Sequence, residues 1–365
     1  MVNVLRSDWL TTGPMVEAFE KAVAEFVGAK YAVALSSGTA ALHAAMYAAG
    51  ISQGDEVLVP PMTFAATANS IVFQDGIPIF VDVNPDTLLI DPLQVRDKIN
   101  ARTKAIIAVD YAGQPCDYNT LSDIARLNGI VLISDACHAL GAKYCDKKVG
   151  SLADLTIFSF HPVKHITTGE GGMVVTDNLE YANLMRRFRN HGIASDHRQR
   201  AETGTWYYEM LDLGYNYRLT DIQCALGLSQ LRKLPTWITR RREIARHYDK
   251  AFADETCVKA LKVNKDAFHV YHLYVLQLSL ERLKANRATI FSALRKAGIG
   301  VNVHYIPVHL HPYYRINFGT DSGLCPVAES AYEKIISLPM FPAMTDEDVN
   351  RVIVAVKEVL ELYSK

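Results

Sequence analysis

Short apolar runs alternate with helical patterns through the first half of this 365-residue chain. Several runs are apolar at nearly every position, which is typical of strands covered on both faces. They predict seven strands: Ala32–Leu35, Glu56–Val59, Ile79–Val83, Ala105–Asp110, Val131–Asp135, Thr156–Phe160 and Gly172–Thr176. Segments such as Thr39–Ala49 and Ala65–Phe73 have helical periodicity, and Asp91 followed by Pro92 indicates a helix start. The alternation predicts an α/β fold with a mostly parallel seven-stranded sheet.

The pattern changes after about residue 230. The elements predicted there are a long helix, a strand, a second helix that ends before a glycine, and a further strand: Ile222–Phe252, His269–Leu278, Arg287–Ala297 and Val301–Tyr305. Thr345 and Asp348 have capping-box spacing at the start of a final helix. We therefore predict a large domain over 1–235 and a smaller C-terminal α+β domain over 236–365.

Composition excludes several function classes. The formal net charge is −1, which gives no reason to expect nucleic acid or an anionic membrane surface as a partner. The basic run at residues 240–242 and 246 is interpreted as the solvated face of a helix. The six cysteines lack CxxC and metal-ligand spacing, so reduced thiols and no metal site are expected. No signal peptide or membrane-spanning run is visible, and we expect a cytoplasmic protein.

Three motifs follow predicted strands, where ligands bind in open α/β sheets. The first is Ser36–Thr39, which opens a helix directly after a strand. Its small residues let the backbone approach an anion, and the helix N-terminus offers free N–H groups. A phosphate cradle is the functional interpretation, and an ordinary strand-to-helix turn is the alternative.

The second motif is Ser134–His138, in which Asp135 ends a strand. A carboxylate in this position is poorly solvated and needs a cationic partner. A protonated pyridine nitrogen is one such partner, and this pairing makes the pyridine ring an electron sink. The alternatives are a nearby arginine or lysine, or a role as the cap of the next helix.

The third motif is Ser159–Lys164, followed by the glycine-rich stretch Thr167–Gly172. A lysine just beyond a buried strand can have a lowered pKa, which leaves its amine free to form a Schiff base. A single loop lysine is usually solvated. The three motifs together, in this order, favour the functional interpretation.

The chain resembles the DegT/DnrJ/EryC1/StrS sugar aminotransferases, a branch of the fold-type I enzymes that use pyridoxal 5′-phosphate (PLP). The matching stretches run through nearly the whole chain and include LTTGP, SSGTAALHAA, DEVLVPPMTFAATANS, PIFVDV, SDACHALGA, SFHPVKHITTGEGG, LGYNYRLTDIQCALGLSQL and VNVHYIPVHLHPYY. The resemblance implies the aspartate aminotransferase-like fold, PLP as cofactor, and a homodimer with shared active sites.

The resemblance also implies a role for each matching residue. Lys164 carries the cofactor as a Schiff base and moves a proton between donor and cofactor, and Asp135 pairs with the pyridine nitrogen. His138 contacts the ring O3′, and Phe64 stacks on the ring face. The phosphate is held by residues from both subunits: the Gly38 and Thr39 backbone, Ser159, and Asn216 of the neighbouring chain. Arg218 is a weaker candidate for binding an anion at the same interface.

Within the family, the motifs look most like the pseudaminic-acid branch, which aminates UDP-4-keto-6-deoxy-N-acetyl-L-altrosamine at C4 with L-glutamate as donor. His165 departs from the proline usual in that branch, and the chain begins after the opening segment of other members. We therefore expect a shortened start or the absence of that segment's substrate contacts. His304, His309 and His311 could form a metal site, but we interpret them as loop histidines near a polar substrate.

Alternative functions remain open at this point. The substrate could be GDP-4-keto-6-deoxymannose or a dTDP-keto sugar. The family's dehydratases have histidine in place of the lysine, so Lys164 argues against that activity. A PLP-binding regulator without turnover is an alternative from another class, but no DNA-binding module is visible.

Overall fold

The computed structural model of the protein describes residues 1–194, 200 and 204–365. The first nine strands are β1 Tyr31–Leu35, β2 Glu56–Val59, β3 Ile77–Phe80, β4 Thr103–Val109, β5 Val131–Asp135, β6 Lys143–Tyr144, β7 Lys147–Lys148, β8 Leu155–Ser159 and β9 Gly172–Thr176. Seven of them form the central sheet in the order β1-β9-β8-β5-β4-β2-β3. β9 is antiparallel to both of its neighbours, and the other pairings are parallel. The predicted mostly parallel sheet is confirmed.

The limits of β3 differ most from the sequence prediction. This strand covers Ile77–Phe80 rather than Ile79–Val83. Its ladder with β2 is in register from Glu56 to Val59, and Phe80 is the partner of Val59. The strand stops at Phe80 because β2 offers no further partner residue.

The helices span Val2–Leu5, Pro14–Val27, Gly38–Ala48, Ala65–Val72, Pro92–Lys98, Tyr118–Asn128, Leu179–Phe188, Asp221–Leu231, Leu234–Phe252, Arg287–Lys296, Pro312–Phe318, Pro326–Tyr332 and Asp346–Tyr363. Two predicted helix starts are confirmed. Asp91 accepts a hydrogen bond from the Leu93 amide, and Thr345 and Asp348 form a capping box. No helix in the described part of the chain is both long and apolar enough to cross a bilayer.

The predicted long helix over Ile222–Phe252 is wrong in one respect, because the structure breaks it into two helices after Leu231. The cause is Pro235, four residues further on. Proline has no N–H to donate to the Leu231 carbonyl, and its ring clashes with that carbonyl in a continuous helix. The second helix therefore begins anew at Leu234, with Pro235 in its first turn.

The C-terminal part contains β10 Val258–Ala260, β11 Ala267–Phe268, β12 Tyr274–Leu278 and β13 Ile335–Leu338. β10, β12 and β13 form one antiparallel sheet, and β11 pairs with the β6–β7 hairpin. Helices cover the small sheet and enclose an apolar cluster that includes Ile244, Leu294 and Val352. Val308 and Tyr314 instead pack in the main cluster around the large sheet. The division at residue 235 stays a prediction.

Two predicted strands in this part of the chain are longer than the structure shows. Only Tyr274–Leu278 of the predicted His269–Leu278 is a strand, since Tyr271 has φ +50° and interrupts the extended backbone. Val301–Tyr305 forms only an isolated bridge, at Asn302. The Val303 amide donates to the Asn302 side chain, so it is not available for a ladder.

The interpretation of the basic run as a solvated face is wrong for Arg241. This side chain is buried, and its Nη1 donates to the carbonyls of Tyr271, His272 and Met340 over 3.0, 3.3 and 2.9 Å. Arg246 is exposed, as predicted. Burial of a guanidinium is tolerated here because backbone oxygens replace its water.

Candidate active site

The three predicted motifs meet at one edge of the central sheet. β1, β5 and β8 run in the same direction, so Leu35, Asp135 and Ser159 end at the same edge. Gly172, at the start of β9, lies between two of these ends and pairs with both Leu35 and Ser159. A Cβ on Gly172 would lie 2.3 Å from the Ser37 carbonyl oxygen. Only glycine therefore lets the Ser37 backbone cross over this point.

The start of the helix Gly38–Ala48 forms a small concavity with Ser159. Ser37 caps this helix by accepting a hydrogen bond from the Ala40 amide. A Cβ on Gly38 would lie 3.0 Å from the Ser159 Cβ and 3.6 Å from the Cys137 Sγ. Free amides at a helix N-terminus and a serine hydroxyl favour an anion. The structure brings Gly38 close to Ser159, with Thr39 next in the helix, and their role as a phosphate cradle stays a prediction.

Asp135 is buried at the end of β5, with 6% of its surface exposed. Its Oδ2 accepts a hydrogen bond of 2.7 Å from the Thr67 hydroxyl, and its Oδ1 accepts one of 3.2 Å from the Cys137 amide. No lysine or arginine among the described residues forms an ion pair with it. The alternative of an aspartate paired with a protein cation is therefore not what the structure shows. A buried carboxylate of this kind can receive a cationic ligand.

His138 is buried beside Asp135 and is fixed at one ring nitrogen. Its Nε2 lies 3.0 Å from the Tyr305 hydroxyl. Its Nδ1 is buried and has no hydrogen-bond partner among the described residues. Burial is the main cause that lowers its pKa well below the usual value, and the nearby Lys164 acts in the same direction. The ring is therefore neutral, and one of its nitrogens is available to a ligand.

Lys164 follows β8 and lies partly buried in the same place. Loss of hydration lowers the pKa of its amine, while the acidic groups of Cys137 and Asp135 act in the opposite direction. The strand that leads to Lys164, β8, pairs with β5, at whose end Asp135 lies. An amine with a lowered pKa is more often neutral, which a Schiff-base lysine requires.

The remaining predicted residues are Phe64, Asn216 and Arg218. Phe64 is 62% exposed, and its ring centroid lies 6.3 Å from that of Tyr305. Asn216 is exposed, and its side chain makes no hydrogen bond within the described ranges. Arg218 donates a bond of 2.8 Å to Asn190. An unbonded amide on the surface fits contact with a second subunit, but the role of Asn216 stays a prediction.

The residues present fit PLP. A Cβ would fill the cradle at Gly38, and within the described residues the His138 Nδ1 has no partner and the Asp135 carboxylate forms hydrogen bonds but no ion pair. The cradle would hold the phosphate, while Asp135 and His138 would hold the ring. Lys164 would supply the amine that binds the carbonyl carbon.

Sequence reasoning missed three residues that complete the site: Thr67, Tyr305 and His272. Thr67 lies one helical turn after Thr63, and their hydroxyl oxygens are 2.7 Å apart. This spacing in the TFAAT stretch was a usable signal. Tyr305 and His272 come from the C-terminal half, and nothing local in the sequence indicates that they reach Asp135 or His138.

The interpretation of His309 as a loop histidine near the substrate is wrong. Its side chain is fully buried and bonds the Glu329 carboxylate over 2.9 Å. Glu329 also accepts hydrogen bonds from the amides of Gly323 and Cys325. His309 therefore stabilises the loop that precedes the helix Pro326–Tyr332.

Comparison with known proteins agrees with this geometry. The profile of the DegT/DnrJ/EryC1/StrS aminotransferase family matches residues 1–357. SpsC of Bacillus subtilis, a spore coat polysaccharide biosynthesis protein, is 41% identical over 363 residues, which cover 99% of this chain and 93% of SpsC.

Two solved structures have closely similar folds. Helicobacter pylori PseC, an aminotransferase involved in the biosynthesis of pseudoaminic acid, superposes with a TM-score of 0.92 at 35% identity, covering 99% of this chain and 95% of PseC. Spr1654 of Streptococcus pneumoniae, a putative sugar aminotransferase solved in its PMP-form, gives 0.93 at 33% identity with the same coverage. A PLP-form of Spr1654 is also known.

Proposed function

This chain belongs to the DegT/DnrJ/EryC1/StrS aminotransferase family, and we propose that it moves an amino group from L-glutamate to the C4 keto group of a nucleotide-linked 4-keto-6-deoxy sugar. It is a PLP-dependent sugar aminotransferase. The observation that carries the proposed site is that Asp135, a buried carboxylate with no ion pair among the described residues, ends the strand next to β8, which leads to Lys164.

Each side chain of this site has a separate role in amino transfer. PLP, when bound, supplies an electron sink that stabilises negative charge at the carbon that loses its proton. The Asp135 carboxylate keeps a proton on the ring nitrogen, and the Thr67 hydroxyl orients that carboxylate. The Lys164 Nζ would take the proton from Cα of the donor and deliver it to C4′ of the cofactor, and in the second half it would carry a proton in the opposite direction, from C4′ to the sugar carbon. Its lowered pKa suits an amine that must act as a base near neutral pH.

For the acceptor we propose UDP-4-keto-6-deoxy-N-acetyl-L-altrosamine. The support is the likeness to PseC and the stretches SFHPVK and VHYIPVHLHPYY. GDP-4-keto-6-deoxymannose and dTDP-keto sugars are the competing acceptors. These acceptors are retained as alternatives because SpsC, at 41% identity, is named for spore coat polysaccharide and not for pseudoaminic acid.

We further propose that the enzyme is a homodimer with two shared sites. Trp206 is 85% exposed, and Leu213 is 74% exposed. The residues between them that are also exposed are Tyr207, Tyr208, Met210 and Leu211. The segment therefore presents a group of exposed apolar side chains, whereas apolar residues on a protein surface usually occur singly. The segment leads directly to Asn216. We propose that a second copy covers this segment and that the partner subunit's Asn216 contributes to the phosphate cradle.

A spectroscopic panel tests the proposed reaction. Glutamate should convert the PLP-loaded enzyme to its PMP-form, with loss of the visible absorption band. Addition of the UDP-linked 4-keto sugar should restore the band and yield one amino sugar per site. The Lys164→Ala variant is the control and should do neither. If only a GDP- or dTDP-linked sugar restores the band, the acceptor proposal is wrong; if glutamate leaves the band unchanged, the donor is wrong.

A further inference from the structure

The imidazole of His272 packs against the imidazole of His138. Both side chains are buried, their ring centroids are 4.2 Å apart, and the ring planes are inclined by 32°. The two rings therefore make a close, tilted contact. His272 comes from the segment before β12, so a residue of the C-terminal half supports a ring that faces the cofactor site.

The backbone around His272 is held from two sides. Gly113 has φ +98°, and a Cβ there would lie 2.8 Å from the His138 carbonyl oxygen and 3.0 Å from the His272 amide nitrogen. The two segments approach this closely only because residue 113 is glycine. On the other side, the buried Arg241 donates to the His272 carbonyl.

The rings of His138 and His272 are both uncharged. Burial is the largest cause that lowers the pKa of His272 well below its usual value, and the neighbouring His138, Lys164 and Arg241 act in the same direction. The His272 Nδ1 is buried without a hydrogen-bond partner, and no bond to its ring occurs among the described residues. The contact with His138 therefore involves the face of the His272 ring, and no hydrogen bond joins the two imidazoles.

We propose that His272 is a positioning residue that fixes the plane of His138 in the cofactor site. The Tyr305 hydroxyl holds the His138 Nε2, and His272 covers one ring face. Together they fix the direction of the unpartnered Nδ1. The inference rests on the proposed contact between His138 and PLP.

Replacement of His272 by phenylalanine and by leucine separates ring shape from volume. Phenylalanine keeps a flat ring and loses no hydrogen bond. Leucine fills a similar volume but has no flat ring. His269→Leu is the matched control: His269 is also buried in this segment, but it stacks on Tyr271, at 4.0 Å between centroids. The readouts are the dissociation constant of PLP and the absorption spectrum of the loaded enzyme, with thermal unfolding of the apoenzyme as the measure of folding.

The His272→Leu enzyme should bind PLP more weakly by roughly three- to tenfold, the equivalent of one lost aromatic contact. The His272→Phe and His269→Leu enzymes should bind PLP like the wild type, even where their thermal stability falls. Wild-type affinity in the leucine variant, or an equal loss in the phenylalanine variant, overturns the inference. A wild type that forms no visible band with PLP refutes instead the cofactor site on which the inference rests.

Discussion

The Thr67 hydroxyl donates a 2.7 Å hydrogen bond to the Asp135 carboxylate, although 68 positions separate the two residues in the chain. The Thr63 hydroxyl lies 2.7 Å from that of Thr67 and completes a short chain of hydroxyls. This contact fixes the carboxylate that we propose pairs with the cofactor. It links the helix Ala65–Val72 to the end of β5.

Thr67→Val should impair catalysis while leaving the fold intact, because valine has nearly the shape of threonine but cannot donate. A hydrogen bond to a charged group contributes about 1.5–3 kcal/mol, so kcat/KM should fall by roughly 10- to 100-fold. Thr67→Ser keeps the hydroxyl and should retain most of the activity. Steady-state kinetics of the two variants test this, and equal rates for both would contradict the role of the hydroxyl.

Asp110 makes stability depend on pH. It is fully buried, accepts hydrogen bonds from the Cys116 amide and the Tyr118 hydroxyl, and has its pKa raised to about 7, mainly by burial. A raised pKa means that the folded protein holds this proton more tightly than the unfolded chain does. The resulting stability is complete below about pH 4 and is lost as the pH rises to about 7.

Asp110→Asn should remove this dependence, because an amide does not titrate and can donate to the Ser134 or Tyr118 hydroxyl. The unfolding free energy of the variant relative to wild type should rise by about 2–3 kcal/mol between pH 5 and pH 8. Urea denaturation at both pH values measures it. Asp123→Asn, at an exposed residue, is the control and should give parallel curves. Parallel curves for Asp110→Asn would show that Asp110 does not titrate as described.

Arg241→Met should destabilise the protein strongly. The variant leaves three buried backbone carbonyls without their donor, at a cost of about 1–3 kcal/mol for a single unsatisfied group. Arg246→Met, at an exposed position of the same helix, should change the unfolding free energy by less than about 0.5 kcal/mol. Similar urea midpoints for the two variants would contradict the structural role of Arg241.

Mixing two inactive variants tests the proposal that each active site contains residues from both subunits. Lys164→Ala and Asn216→Asp should each be inactive, the latter because a carboxylate repels the phosphate. In a hybrid dimer one site combines the wild-type Lys164 with the partner subunit's Asn216, so refolding an equal mixture should restore activity at about a quarter of all sites. Absence of any recovery, when hybrid dimers are shown to form, would mean that Asn216 acts within its own chain.

The sheet and three of its strand-end motifs could be predicted because their signals are local. An apolar run and a following Gly/Ser turn identify β1 and its cradle, and burial of the run places Asp135 at a strand end. The break between the helices Asp221–Leu231 and Leu234–Phe252 could also have been predicted, because Pro235 disfavours a continuous helix. Pattern alone could not show that Arg241 is buried, because a helical arginine has the same periodicity whether water or carbonyls surround it.

The supporting contacts of the site depend on distant parts of the chain. Tyr305 reaches His138 across 167 positions, and no periodicity encodes such a distance. The limits of strand β12 likewise follow from the interruption at Tyr271, where the chain turns to meet Arg241. Tertiary contacts of this kind override local propensity.

The most direct test is the absorption spectrum of purified enzyme supplemented with PLP. The wild type should show the visible band of a cofactor bound to a lysine, and borohydride reduction should fix the cofactor on Lys164. Lys164→Ala should lack the band, whereas Lys147→Ala, at an exposed lysine, should retain it. A wild type without the band, or a Lys164→Ala enzyme that keeps it, would contradict the assignment of Lys164 as the lysine that carries the cofactor.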